Sequence, residues 1–142
     1  MQKNKKTMLI GLLPRENDAY FSDACLKRWG DNPKYREAKK RLAEKTEREI
    51  LRIKNENEAL LKRIAERVAD KPESRSVQNL IHVHFQIIDR LCELNYPMYR
   101  SISELSVSDP EFREYYETYG VGMASFVHQA MRMYCDIREG GE

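Results

Sequence analysis

The stretch NYPMYRSISELSVSDPEFREYYETYGVGMASFVHQAM, residues 95–131, decides the fold, because its punctuation marks off successive helices and leaves no strand signal between them. Asp109 is an N-cap residue type, Pro110 suits the first helical position, and Gly120 can close the C-terminus, so a short helix is bracketed between them. Within it Phe112, Tyr115, Tyr116 and Tyr119 fall at i, i+3, i+4 and i+7, which stacks the rings along one stripe. A tyrosine joins a large apolar body to a hydroxyl that wants a partner when buried. The stripe therefore suits either a core or the wall of a pocket for a flat, amphipathic molecule, and spacing alone leaves both readings open.

Working outward, Pro97 starts the preceding short helix, which carries Met98, Ile102 and Leu105. The last helix is expected over about 121–138, with Ala124, Phe126, Val127, Ala130, Met131, Met133 and Tyr134 around much of its circumference. Upstream, KPESRS at 71–76 reads as a turn with Pro72 as breaker and Ser74 or Ser76 as the next cap. The helix after it, over about 77–94, looks central: its polar residues are nearly confined to Asn79, His82, Gln86, Asp89, Arg90 and Glu93. Thr46 with Glu49 forms a capping-box signature, so a break near Lys45 and a long helix over about 47–69 are expected. Its apolar seam runs Ile50, Ile53, Leu60, Leu61, Ile64 and Val68, with Asn57 where a heptad would want an apolar side chain. A lone Asn there can fix a coiled-coil register, but the seam is short, and packing within the domain is the expected use. Toward the N-terminus, 18–28 reads as a short helix ending at Trp29 and Gly30, and Asn32 and Pro33 open another with Tyr35, Ala38 and Leu42 on its buried side. The expected fold class is all-α with six or seven helices. The expected organisation is a flexible segment at 1–17, one domain over 18–138 and a tail at 139–142.

Composition narrows the function. A chain of 142 residues is one domain by length and can bury about two-thirds of its unfolded surface, enough for a core without staples. Charged residues of both signs are interleaved and the net charge is only +2, which leaves no electrostatic footprint for nucleic acid. Lys3, Lys5 and Lys6 precede a short apolar run over 8–13 that Gly11 interrupts and Pro14 closes, unlike a secretory leader. No run is long enough to span a membrane. Cys25, Cys92 and Cys135 are widely spaced, odd in number and form no CxxC pair, which suits structural thiols in a reducing cytoplasm.

Chemistry-bearing patterns are sparse. His82 and His84, two apart on a helix, point in nearly opposite directions and cannot chelate one metal. His82 lies on the polar stripe and is expected in solvent. His84 shares the apolar face with Val77, Leu80, Ile81, Ile88 and Leu91, where an imidazole must bond either an internal group or a ligand. No nucleophile with a base in reach is marked, the acidic residues sit in surface-pairing patterns such as Glu58 to Lys62, and there is no glycine-rich phosphate loop. The chain is not expected to be an enzyme, and no cofactor or metal is expected.

LKRWGDNPKYREAKK at 26–40, KTEREILRI at 45–53, the His84 to Ile88 step and, above all, the YPM, SDPEF and Gly-led final-helix elements of 96–131 resemble, in order and spacing, the TipAS family. TipAS is the antibiotic-recognition domain at the C-terminus of certain MerR-type transcription regulators. The resemblance implies a globin-like helical domain without haem that binds bulky hydrophobic antibiotics, such as thiopeptides, in a cleft over which the N-terminal helices close. On that basis the expected ligand contacts are aromatic stacking by Trp29, Tyr35, Tyr115 and Tyr116, hydrogen bonding by His84, Tyr96 and Ser101, and adaptable apolar contact by Met98 and Met123. Relatives that capture thiopeptides covalently use a cysteine where this chain has Ser101, and a serine hydroxyl is a poor nucleophile at neutral pH, so reversible binding is expected. The resemblance also implies a DNA-binding part, for which nothing before Met8 provides, so no direct nucleic-acid contact is expected of this chain. Two alternatives stand beside the effector-domain reading: a free-standing drug-sequestering protein, and a helical interaction module that homodimerises through the Ile50 to Val68 seam.

Overall fold

The computed structural model describes residues 44–140 apart from Glu93, together with positions 33, 36 and 40; the side chains at 47, 50, 91, 92 and 111 fall outside that description. The described residues form five α-helices and no strand: α1 (Glu47–Ala65), α2 (Arg75–Cys92), α3 (Tyr96–Ser108), α4 (Pro110–Glu117) and α5 (Met123–Glu139). The fold class is all-α, as expected. The helix expected at 18–28 lies outside the described residues, as do Trp29 and Tyr35.

Local chemistry sets the helix starts. Thr46 Oγ1 accepts from Glu49 N at 3.1 Å while Glu49 Oε1 accepts from Thr46 N at 2.9 Å, the reciprocal capping box expected at the head of α1. The Thr46 N–H holds the exposed Glu49 carboxyl below the usual carboxylate range. Ser74, of the two candidate serines, caps α2 by accepting from Val77 N at 3.4 Å. Asn95 accepts from Met98 N at 2.8 Å with Pro97 in the first turn, so α3 begins at Tyr96, one residue before the expected start. Asp109 accepts from Phe112 N at 3.1 Å and Pro110 opens α4.

Three boundaries depart from the sequence reading, each for a local reason. α1 stops at Ala65, not near Ala69, because the chain tightens into three-residue bonds, Arg67 N to Ile64 O at 2.9 Å and Val68 N to Ala65 O at 3.3 Å. Leu94 lies beyond the end of α2, where its N–H donates to the Asp89 carboxylate at 2.7 Å. α5 begins at Met123, not Val121: Gly122 takes the left-handed conformation (φ +85°), which favours glycine, and Val121 projects into solvent. The N-terminus of α5 is capped from α4 instead, where the Glu117 carboxylate accepts from Ala124 N at 2.8 Å and Gly122 N at 2.9 Å.

α1 and α2 form an antiparallel hairpin. Ile53, Asn57, Leu60, Leu61 and Ile64 of α1 and Val77, Ile81, His84, Ile87 and Ile88 of α2 are buried, so the described seam of α1 packs within the domain. α3 packs chiefly along α5, and α4 lies against both. The aromatic stripe belongs to the core: Phe112, Tyr115 and Tyr116 are buried and Tyr119 is half-buried. Each large apolar side chain sealed this way stabilises the fold by about 1.5–3 kcal/mol relative to exposure.

Candidate functional site

The site begins with His84, which the 3.6-residue period of α2 turns into the core between Ile81 and Ile88. Its Nδ1 shares a 2.7 Å hydrogen bond with the hydroxyl of Tyr99 on α3, and that hydroxyl also lies 3.5 Å from the carbonyl of Ile81. Nε2, the other ring nitrogen, is buried and has no partner within the protein. Burial pulls the imidazole down to about 4, so the ring is neutral at pH 7. In one tautomer Nε2 is an unpaired donor and in the other an unpaired acceptor.

Two more side chains repeat this condition. Tyr116 of α4 is 1% exposed and its hydroxyl is unpaired, which pushes the phenol above its ordinary value through burial and then through the neighbouring Tyr119. Asn57 of α1 is 0% exposed with neither Oδ1 nor Nδ2 paired. The hairpin register sets Asn57 opposite Ile88, about one helical turn from the level of His84, since Glu56 ion-pairs with Arg90 at 2.7 Å and Leu60 shares a groove with Val83 and Ile87. Burial first and the Tyr116 phenol next raise the Tyr99 hydroxyl. α4 lies near α1, because Glu58 adds to the burial that raises Tyr115 and Tyr119.

The structure places the expected contact residues unevenly. His84 bonds Tyr99, and Tyr116 packs edge-on against Tyr115 with ring centroids 5.4 Å apart. Tyr115 is itself buried, its hydroxyl 3.5 Å from that of Tyr119. Met98 and Met123 are buried in the same core, while Ser101 is half-buried on α3. Tyr96 is half-buried in a separate aromatic cluster, with ring centroids 5.6 Å from Phe85 and 6.3 Å from Tyr134. Trp29 and Tyr35 lie outside the described residues. His82 is not simply solvated: its Nδ1 shares a 2.6 Å hydrogen bond with Tyr134, which also carries the Arg138 guanidinium over its ring. Glu58 pairs back to Lys54 at 2.7 Å, not forward to Lys62.

Sequence reasoning missed Tyr99, whose role depends on a contact between helices, and it read Asn57 only as a register device. The signal for Asn57 was a lone amide in an apolar seam. Among the described residues no group of His, Cys, Asp or Glu gathers as a metal site, and no helix is long and apolar enough to cross a membrane.

Residues 21–134 match the TipAS antibiotic-recognition domain, and the chain belongs to that family. It is similar to two curated transcription activators: the HTH-type transcriptional activator mta of Bacillus subtilis, 25% identical over 151 residues that cover 96% of this chain and 54% of that protein, and the HTH-type transcriptional activator TipA of Streptomyces coelicolor, 28% identical over 137 residues that cover 89% and 54%. TipA of Streptomyces lividans aligns equally well, 28% identical over 137 residues. The chain thus spans about half, 54%, of the length of these relatives. No solved structure matches it significantly.

Proposed function

We propose that this chain is the effector-recognition domain of a MerR-type transcription regulator, binding a bulky, largely hydrophobic ligand of thiopeptide type reversibly in a globin-like helical cleft in the cytoplasm. The observation that carries the reading is the pair His84 and Tyr116. Both were expected contacts from sequence, and both are buried with a polar atom that the fold leaves unpaired. A buried unpaired donor or acceptor costs about 1–3 kcal/mol, which a ligand can recover by pairing it. Tyr115, Met98 and Met123 would supply apolar contact, with Trp29 and Tyr35 closing from the N-terminal side. With Ser101 at the position of the capturing cysteine, no covalent bond to the drug is expected.

Thermal unfolding with increasing thiopeptide tests this. Stability should climb with ligand concentration by mass action, about 2.7 kcal/mol at a hundredfold excess over Kd. Intact mass after denaturation should be that of the free chain. No stabilisation by any thiopeptide tried would defeat the reading, and a mass increase of one ligand would defeat its reversible part.

A further inference from the structure

We infer that Tyr99 is a positioning residue for His84: its hydroxyl donates to Nδ1, fixes the imidazole as the tautomer with its proton on Nε2, and so selects a ligand that offers a hydrogen-bond acceptor. The tautomer half stands on the contacts of these two side chains alone. The acceptor half rests on the ligand-recognition reading above and sharpens it to a ligand with a neutral acceptor, such as a carbonyl oxygen or an unprotonated ring nitrogen. Tyr99 is 0% exposed, and its ring packs edge-on against Phe85 and Tyr134, with centroids 5.1 Å and 5.7 Å away. Those contacts fix where the hydroxyl sits. It lies 2.7 Å from His84 Nδ1 and 3.5 Å from the carbonyl of Ile81.

The phenol has one proton and two candidate acceptors, so two arrangements compete. In the first, Tyr99 Oη donates to Nδ1 and the imidazole proton sits on Nε2. One buried group, the Nε2 proton, then has no partner within the protein. In the second, Nδ1–H donates to Oη, and the phenol proton must turn to the Ile81 carbonyl. At 3.5 Å that contact lies beyond the range of about 2.5–3.0 Å over which O–H···O bonds form. The phenol proton and the Nε2 lone pair would both go unmet, one buried polar group more than in the first arrangement. Acidity points the same way, since the phenol is the ready donor of the pair and the bare imidazole nitrogen the more basic acceptor. Burial keeps the ring neutral at pH 7, so one proton is divided between two nitrogens and Tyr99 decides its place. A ligand group that faces Nε2 therefore meets a donor. A carboxylate would also accept from it, but would lose its hydration among buried polar side chains that include no lysine or arginine.

NMR of the full, isotopically labelled chain at pH 7.5 tests the tautomer half. His84 should show a one-bond proton–nitrogen coupling at Nε2 and none at Nδ1. The Tyr99 hydroxyl proton should exchange slowly with solvent and couple across the hydrogen bond to Nδ1. A proton bonded to Nδ1 overturns the inference. In Tyr99→Phe the ring loses the group that places its proton, and both nitrogen shifts should move toward the average of the two tautomers. A ring still protonated on Nε2 alone would mean that something other than Tyr99 sets the tautomer, and the positioning role falls. If that variant does not fold, the wild-type couplings decide. The acceptor half is tested by adding thiopeptide to saturation, with thermal shift followed on the same samples. Nε2 should keep its proton, and the signal of that proton should move downfield as an acceptor takes it up. Loss of the coupling at Nε2, or an unmoved signal in a chain that thiopeptide stabilises, overturns the acceptor half while the recognition reading stands. A chain that no thiopeptide stabilises defeats the recognition reading and the acceptor half with it, and the free-chain couplings still decide the tautomer half.

Discussion

The two halves of the helical core treat their buried polar groups differently. Along α3 and α5 the buried hydroxyls are closed locally: Ser103 Oγ donates to Arg100 O at 2.6 Å and Ser106 Oγ donates to Ser103 O at 2.6 Å. His128 of α5 reaches the Ser103 carbonyl with Nδ1 at 2.8 Å. By contrast, Asn57 of α1, His84 of α2 and Tyr116 of α4 leave four atoms unpaired at comparable burial. A fold selected for stability alone would replace those side chains by apolar ones of similar shape, since an unpaired buried group costs more than its removal. The α3 hydroxyls therefore serve the scaffold, while Asn57, His84 and Tyr116 carry a cost that the free fold does not recover.

The largest expected break in that comparison is produced by acid. His84 is ordinarily near 6.5 and burial holds it at about 4 in the folded chain. Between those values the unfolded chain binds a proton that the folded chain refuses, so stability is complete above 6.5, falls as the pH drops, and levels off near 4. The loss amounts to about 3 kcal/mol at most. Urea unfolding at pH 7.5 and pH 4.5 measures it, and His84→Leu should flatten most of the slope. An unchanged slope would mean that the imidazole already exchanges protons in the native state, and His84 would then have to be treated as open to solvent.

Next in size is Tyr99, which straddles the two halves. Tyr99→Phe takes away the hydroxyl on His84 Nδ1 and leaves both ring nitrogens without that partner, at a cost of about 2 kcal/mol. A cost below about 0.5 kcal/mol would mean that His84 finds another internal partner, and the imidazole would no longer mark the boundary between scaffold and site.

How much of this was legible in the sequence follows the range of the interactions. Thr46 with Glu49, and Asp109 with Pro110, are complete within one turn, and each starts its helix as read. The burial of His84 was legible because periodicity fixes the inward face of a helix. The same period puts Val83 beside the polar stripe of Asn79 and Gln86, and it is exposed, but the period gave no warning that His82 would be held by Tyr134 from α5. That is a fact of how helices dock. Which residue of α2 stands opposite Asn57 depends on the hairpin register, which the turn over 66–74 sets and which no single-helix pattern contains. The capping of α5 was equally hidden, because Glu117, which accepts from Gly122 N and Ala124 N, belongs to the preceding helix.

A smaller effect should come from the rim of the scaffold half. Arg100 of α3 reaches Asp136 and Glu139 of α5 at 2.6 Å each, and both contacts are open to water. Solvent screening limits such pairs, so Arg100→Ala should cost less than about 1 kcal/mol, and the cost should shrink in high salt. Chemical denaturation at low and high ionic strength checks it. A cost above about 2 kcal/mol, insensitive to salt, would mean that the α3–α5 interface depends on this network more than on its buried side chains.

The smallest expected change in stability is the most telling. Tyr116 fills the core, so truncation to alanine would remove a whole ring and cost about 3–5 kcal/mol whatever the role of the hydroxyl. Tyr116→Phe keeps the ring and deletes only the unpaired oxygen. The free chain should then unfold within about 0.5 kcal/mol of wild type, or slightly later, because an unsatisfied buried group has been removed. Thiopeptide affinity, measured by thermal shift on the same samples, should fall by about tenfold if the ligand pairs that oxygen. The contrast with Tyr99→Phe is the point of the measurement. Two tyrosines of similar burial would respond oppositely, one expensive to strip in the free chain and one felt only when ligand is present. If Tyr116→Phe costs as much as Tyr99→Phe in the absence of ligand, the oxygen is bonded within the fold, and the asymmetry between the two halves of the core reduces to Asn57 and one nitrogen of His84.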